Sequence, residues 1–120
     1  MTKNIAVVDD DASVRIATQN LVRSMGWAVQ TFASAEDFLA DAPIAGIDCL
    51  ITDVQMEGLG GVELAATLRS RGLAIPVIFI TAFPDERVRE RAMAAGGVDF
   101  FAKPFDGQQL VSCIERVLQP

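Results

Sequence analysis

Five polar side chains of this sequence each follow a short apolar run, and together they have the chemistry of a reactive site. They are three acids, a hydroxyl and a lysine: Asp9, Asp10, Asp53, Thr81 and Lys103. The apolar runs that precede them are residues 5–8, 49–52, 77–80 and 100–102. Such runs predict buried strands, and the carboxyl ends of parallel strands border the crevice in which α/β proteins bind ligands. The pattern therefore predicts one site at an edge of a sheet.

Each of these residues also has an ordinary structural explanation. Asp9, Asp10 and Asp11 can cap a helix, because the helix dipole favours acids at its N-terminus. Thr81 can be a plain hydroxyl at a strand end, and Lys103 can belong to a turn. Taken singly, the residues leave the chemistry open.

Segments with helical periodicity separate the predicted strands, and residues 29–32 alternate in polarity like a strand near a sheet edge. The first helix is predicted to begin at Asp11 or Ser13. It should bury a stripe made of Val14, Ala17, Leu21 and Met25. The last helix should bury Leu110, Ile114, Val117 and Leu118. Strands that alternate with helices about five times predict a parallel sheet covered on both faces.

Length and composition predict a single globular domain over residues 1–120, with 51% hydrophobic and 22% charged residues. A net charge of −6 argues against direct binding to nucleic acid or to an anionic membrane. We find no leader-like segment before Ile5 and no apolar run long enough to span a bilayer, so a cytoplasmic protein is expected. Cys49 and Cys113 are expected to be buried free thiols, and the lack of histidine excludes a histidine relay within this chain.

The motifs at the strand ends resemble the receiver domain of two-component response regulators over essentially the whole chain. The residues that carry the resemblance are Val7-Val8-Asp9-Asp10, Asp53-Val54-Gln55-Met56, Ile80-Thr81-Ala82 and Lys103-Pro104-Phe105, in the order that the family has. Val98-Asp99-Phe100 and the surroundings of Phe38-Leu39 are similar to receivers of nitrogen-fixation-type regulators. The resemblance implies a flavodoxin-like, doubly wound, five-stranded parallel sheet in the order 2-1-3-4-5 with helices on both faces.

By this resemblance, Asp53 accepts a phosphoryl group from a phosphohistidine of a sensor histidine kinase in phosphorelay signalling. Mg²⁺, or Mn²⁺ in its place, would be held by Asp10 and Asp53 directly, by Asp9 through water and by the backbone carbonyl of Gln55. Lys103 and Thr81 would contact the phosphoryl oxygens. The protein would be no enzyme in the usual sense, because it catalyses only its own phosphorylation and dephosphorylation.

The resemblance also implies how the signal leaves the domain. Thr81 and the aromatic Phe100 would move together on phosphorylation and remodel the face formed by residues 88–95, residues 100–102 and the last helix. That face, which comprises the fourth helix, the fifth strand and the fifth helix, would bind a partner, a second copy of the chain or a DNA-binding output domain outside this chain.

Two features set this chain apart within the resemblance, the loop at residues 57–61 and the residue Phe83. Glu57 stands where the family usually has proline, and Gly58, Gly60 and Gly61 make the same loop permissive. Phe83, two residues after Thr81, is a bulky side chain that can overhang the phosphoryl group. The family suggests a cis peptide between Lys103 and Pro104. Glu57 and Phe83 are therefore the expected modulating residues.

Three other functions remain as alternatives. Residues 9–13 loosely resemble the Asp-x-Asp signature of haloacid-dehalogenase-type phosphatases, which need a longer chain and a later pair of acids. A flavodoxin-like electron carrier shares the sheet order, but its phosphate-binding loop is missing here. A degenerate receiver would bind partners without phosphorylation, and the complete set of site residues argues against it.

Overall fold

The computed structural model describes residues 2–119, in which five strands alternate with five α-helices. Met1 and Pro120, the ends of the predicted 1–120 domain, lie outside the described residues. The strands are β1 (Asn4–Val8), β2 (Ala28–Phe32), β3 (Cys49–Asp53), β4 (Val77–Thr81) and β5 (Gly97–Ala102). The helices are α1 (Ala12–Ser24), α2 (Ala35–Asp41), α3 (Gly61–Ser70), α4 (Glu86–Ala94) and α5 (Gly107–Leu118), and a 3-10 helix (Ile44–Gly46) precedes β3.

The strands form one parallel sheet in the order β2-β1-β3-β4-β5, which confirms the predicted topology. The register pairs Val8 with Thr52, Asp53 with Ile80, and Thr81 with Ala102. Because the paired strands end nearly level, the residues that follow β1 and β5 lie at the same edge as the last residues of β3 and β4. The fold thus brings the polar strand ends to one edge of the sheet.

Alternate residues of each strand point to opposite faces, and each face has its own core. Ile78 and Ile80 pack with Leu110 and Ile114 of α5 and with Val22 of α1. On the other face, the cluster combines strand residues with α2, α3 and α4: Ala6, Leu50, Phe79, Phe38, Leu64 and Ala92. All five residues of β3 and all five of β4 are buried, as expected for central strands of a parallel sheet.

The buried stripe of α1 differs from the predicted one. Ala17 and Met25 are exposed, whereas Thr18 and Val22 are buried, so the prediction for Ala17 and Met25 is wrong. The Thr18 hydroxyl donates a hydrogen bond to the Val14 carbonyl at 2.7 Å, and its polar atom therefore needs no water. A threonine satisfied within its own helix can be buried although a hydropathy pattern counts it as polar.

The fifth strand begins earlier than its apolar residues indicate. It runs from Gly97, and a register shift opposite Val77 and Ile78 accommodates the additional residues. A Cβ atom on Gly97 would lie 2.8 Å from ring carbons of Phe79 and 2.9 Å from the carbonyl oxygen of Ala92. Only glycine fits there, between β4 and α4. No helix within residues 2–119 combines the length and the apolar character that crossing a membrane requires.

Candidate functional site

Three carboxylates meet at the edge where β1 and β3 end. Asp53 is the last residue of β3 and only 5% exposed, Asp9 is fully buried, and Asp10 is exposed. Each offers one carboxylate oxygen, and these three oxygens lie within 4.8 Å of one another. The Asp9 backbone N–H donates to the Phe32 carbonyl at 3.1 Å, and its Oδ1 accepts from the Asp11 N–H at 2.9 Å. Backbone contacts therefore fix the most buried acid.

Lys103 follows β5 and reaches two of these acids. Its Nζ lies 3.0 Å from Asp53 Oδ2, as a hydrogen bond, and 3.0 Å from Asp9 Oδ2, as an ion pair. Its backbone N–H donates to the Thr81 carbonyl at 2.8 Å, and the peptide between Lys103 and Pro104 is cis, as the resemblance suggested. The ammonium is thus held between two carboxylates that would otherwise repel each other.

Burial and charge set the protonation of this cluster. Burial raises the pKa of the Asp53 carboxyl above its ordinary value, and the charge of Asp9 adds to the rise, while the hydrogen bond from Lys103 lowers it in part. Burial alone would lower the pKa of Lys103, but the two carboxylates outweigh burial and raise this pKa above its ordinary value. The lysine therefore remains charged at neutral pH and favours an ionised Asp53.

Thr81 lies beside the acids, but its hydroxyl is bonded elsewhere. The hydroxyl donates to Gln55 Oε1 at 2.8 Å and accepts from the Phe83 backbone N–H at 3.0 Å. Thr81 is fully buried, Gln55 is exposed, and the Phe83 residue is 69% exposed. The sequence predicted Thr81 as part of the site, and the side chain of Gln55 as its partner was missed.

The loop after Asp53 is held by a residue that sequence reasoning missed. Glu36 of α2 accepts a hydrogen bond from the Leu59 N–H at 3.1 Å, and its carboxylate lies against Gly58, whose φ is +80°. A Cβ on Gly58 would collide with that carboxylate. Glu36 thereby restrains a loop that lacks the proline expected at position 57, where Glu57 is exposed.

Glycine is also required directly behind Asp53. A Cβ on Gly61, the first residue of α3, would collide with the carbonyl oxygen of Asp53. The Gly61 N–H donates to the Val54 carbonyl at 2.9 Å, so α3 begins in close contact with the end of β3. The backbone of Asp53 therefore has little freedom to shift.

The residues present fit a hard divalent cation. Three carboxylate oxygens are grouped here, and Mg²⁺ prefers oxygen ligands. Asp9 Oδ2 is buried, and beyond its ion pair with Lys103 it accepts no hydrogen bond from the described part of the chain, so a lone pair remains available close to the other acids. The prediction of an acidic metal site is consistent with this arrangement, in which a bound cation would offset the charge of the acids and of an incoming phosphoryl group.

Comparison with known proteins decides the family. The sequence model described as "Response regulator receiver domain" matches residues 5–115. This chain belongs to the response regulator receiver domains. The family predicted from the strand-end motifs is thus confirmed, and the receiver is a signalling domain.

Relatives of this receiver include full-length regulators. It is 40% identical over 115 residues to the response regulator protein TodT of Pseudomonas putida, covering 96% of this chain and 51% of TodT. It is 34% identical over 116 residues to the transcriptional regulatory protein FixJ of Bradyrhizobium diazoefficiens, covering 97% of this chain and 57% of FixJ. The receiver therefore spans about half the length of these curated relatives.

Solved structures agree on the fold. The crystal structure of FixJ-N superposes on this receiver with a TM-score of 0.89 at 37% identity, covering 98% of this chain and 94% of FixJ-N. The predicted flavodoxin-like fold, with its sheet order and its helices on both faces, is confirmed.

One further predicted residue and one that was not predicted lie outside the acidic cluster. Phe100 is half-buried and packs against the core that α2, α3 and α4 cover, opposite Phe79 in the sheet register. Arg15, which the sequence gave no reason to select, donates from Nη1 to the Asp9 carbonyl at 2.7 Å. A second cation is thus attached to the acidic edge, through the backbone of Asp9.

Proposed function

We propose that Asp53 is the phosphoryl acceptor of this receiver. The observation that carries the proposal is the environment of its carboxylate, which has Lys103 Nζ at 3.0 Å and two acids grouped around it. Asp9 shares Lys103 but its side chain is fully buried, and Asp10 is exposed without an ion-pair partner among the described residues. Asp53 alone combines an activating cation with some access from solvent, since its side chain is 7% exposed.

The proposed reaction is attack of an Asp53 carboxylate oxygen on the phosphorus of a phosphohistidine. An O–P bond forms, the N–P bond breaks, and the imidazole nitrogen of the donor keeps the electron pair. Phosphoryl transfer depends mainly on positioning and charge neutralisation, and Lys103 supplies a fixed positive charge beside the acceptor. Hydrolysis of the resulting aspartyl phosphate would return the domain to rest, so catalysis is limited to its own modification.

Asp9, Asp10, Asp53 and the Gln55 backbone carbonyl are the groups that we propose as the holders of Mg²⁺, with Mn²⁺ as a substitute. The grouped oxygens support this assignment, and so does the buried Asp9 Oδ2, whose partner among the described residues is Lys103. When bound, the cation would offset the charge of the acids and bind phosphoryl oxygens. Without it, Asp53 and Asp9 share only one ammonium.

We further propose that Thr81 and Phe100 transmit the modification. The Thr81 hydroxyl would turn toward a phosphoryl oxygen, and Phe100 would reorient within the face formed by α4, β5 and α5. Phe83 and Glu57, both exposed near the acceptor loop, would modulate access to the phosphoryl group. The half-burial of Phe100 supports a side chain that can occupy two positions.

The partners proposed for the whole protein are inferred from its relatives. A sensor histidine kinase would supply the phosphoryl group. Because such a kinase takes this group from ATP, the receiver domain would lie in the cytoplasm. Since relatives such as FixJ are transcriptional regulators about twice as long, a DNA-binding output domain outside this chain, or a phosphorylation-dependent homodimer, would receive the signal. We infer that residues 1–120 act as one receiver domain.

The assignment of Asp53 is tested by labelling with a small phosphodonor, such as acetyl phosphate, in the presence of Mg²⁺. Intact-mass analysis should show one added phosphoryl group on the wild type and none on Asp53→Asn. The matched control is Asp41→Asn, which changes an exposed acid at the end of α2 and should label like the wild type. Wild-type labelling of Asp53→Asn would refute the assignment, and an unlabelled wild type would favour a degenerate receiver.

A further inference from the structure

The hydroxyl of Thr81 takes part in two hydrogen bonds, and only one of them uses its proton. The Phe83 N–H donates to Oγ1 at 3.0 Å, and Oγ1 donates its proton to Gln55 Oε1 at 2.8 Å. A hydroxyl has one proton to give. The proton that a phosphoryl oxygen would need from Thr81 is therefore already committed to Gln55.

Gln55 and a phosphoryl group on Asp53, the last residue of β3, would compete for that proton. Gln55 follows Asp53 by two residues, and the sheet register pairs Asp53 with Ile80, the neighbour of Thr81. Thr81 can reach toward the acceptor by a side-chain rotation, but only after its bond to Gln55 has broken. Donation to Gln55 and donation to a phosphoryl oxygen exclude each other.

Burial makes this competition matter for the switch. Thr81 is fully buried, and a buried hydroxyl proton without an acceptor is costly. In the resting state Gln55 provides that partner, whereas in the phosphorylated state the phosphoryl oxygen would provide it. Gln55 itself is exposed, so its amide can return to water when released.

We propose that the Gln55 side chain is a positioning residue that holds Thr81 in its resting orientation and so opposes the active conformation. This inference rests on the proposed role of Asp53 and Thr81, and it deepens that role by naming the group that sets the resting state. Removal of one neutral hydrogen bond should shift the equilibrium toward the active state about fivefold. Gln55 thereby determines how readily the domain responds to a given level of phosphorylation.

The test compares variants of the full 120-residue chain by their affinity for beryllofluoride, a phosphoryl mimic, in the presence of Mg²⁺. Gln55→Met keeps the length of the side chain and the backbone carbonyl but removes the amide oxygen, so it should bind beryllofluoride about fivefold more tightly than the wild type. Gln30→Met, at an exposed glutamine of β2, is the matched control and should bind like the wild type.

A second pair of variants tests whether the effect passes through Thr81. In Thr81→Val, the hydroxyl is absent from both states, so adding Gln55→Met should change the affinity no further. Thr81→Ala replaces the valine variant if circular dichroism shows that valine disturbs the buried site. An unchanged or weaker affinity of Gln55→Met overturns the proposal, and so does an equal gain without the hydroxyl.

A readout that does not depend on phosphorylation separates this inference from the proposed function. In ligand-free wild type, side-chain NMR couplings of Thr81 should report one dominant rotamer, and Gln55→Met should show rotamer averaging. If the wild type binds no beryllofluoride, the proposed function fails, and the Thr81 couplings still decide the role of Gln55. Identical couplings in both proteins would overturn it.

Discussion

The end of β3 and the helix α4 are built in opposite ways. Every residue of β3 is buried, and its last residue, Asp53, is held by Lys103 and by the close approach of Gly61. In α4, Ala92 is the one buried residue of the described helix. Its charged residues are Glu86, Arg87, Arg89, Glu90 and Arg91.

The contacts that attach α4 to its neighbour are also weak. Arg69 of α3 donates from Nη1 to the Ala94 carbonyl at 3.0 Å, and Arg91 lies 3.9 Å from Glu63 with both side chains more than half exposed. Exposed ion pairs of this kind contribute little. The proposed acceptor therefore lies at a rigid strand end, whereas the proposed output face includes an element that costs little to move.

The largest expected effect comes from removing the cation at the rigid end. Lys103→Met would leave the carboxylates of Asp9 and Asp53 close together without a counter-charge. Breaking a buried ion pair in this way should reduce the free energy of unfolding by about 3–5 kcal/mol at neutral pH in the presence of chelator. Urea unfolding measures this loss.

Removing a cation from α4 is the matched control for that experiment. Arg89→Met, at an exposed position of α4, should leave the free energy of unfolding unchanged within error. The loss in Lys103→Met should shrink as the pH falls, because the unpaired acids can then take up protons in the folded state. Equal losses in the two variants would mean that the strand end is no more dependent on its charges than the helix.

A smaller and local effect is expected when α4 loses its attachment to α3. Arg69→Ala removes the bond to the Ala94 carbonyl and exposes the backbone near Gly96, which the Arg69 side chain covers. Amide hydrogen exchange of residues 88–94 should accelerate about fivefold, while exchange in β3 stays the same. Hydrogen exchange followed by NMR resolves the two regions.

Arg71→Ala controls for the loss of an arginine from the same helix end. Arg71 is exposed at the C-cap of α3, and its substitution should leave the exchange of α4 unchanged. Faster exchange in β3 after Arg69→Ala would show that β3 and α4 unfold as one unit. That result would contradict the difference in rigidity between them.

The sequence alone predicted the acidic cluster, because each acid directly follows an apolar strand and the topology of a parallel sheet brings such ends together. Lys103 and Thr81 could be predicted for the same reason, whereas the sheet order followed from the resemblance to receiver domains. The hydrogen bonds of Gln55, Glu36 and Arg15 could not be predicted from the sequence. Their contacts join residues 26, 23 and 6 positions apart, and no periodic pattern records them.

The errors in the predicted fold also have physical causes. Thr18 can be buried because its hydroxyl is satisfied within α1. The observed buried stripe of α1 therefore includes Thr18 and leaves out Ala17 and Met25, which the prediction had included. The start of β5 at Gly97 was missed because glycine is a poor strand former and is required there only by Phe79 and Ala92. A hydrogen bond within the helix explains the first error, and a tertiary contact explains the second.

We expect the end of β3 to stay fixed on activation while α4 and β5 respond. Hydrogen exchange of the wild-type chain with Mg²⁺, measured with and without beryllofluoride, tests this contrast. Binding should change the exchange of residues 86–102 strongly and leave that of residues 49–53 almost unchanged. Changes of equal size in both regions, or changes confined to β3, would contradict it.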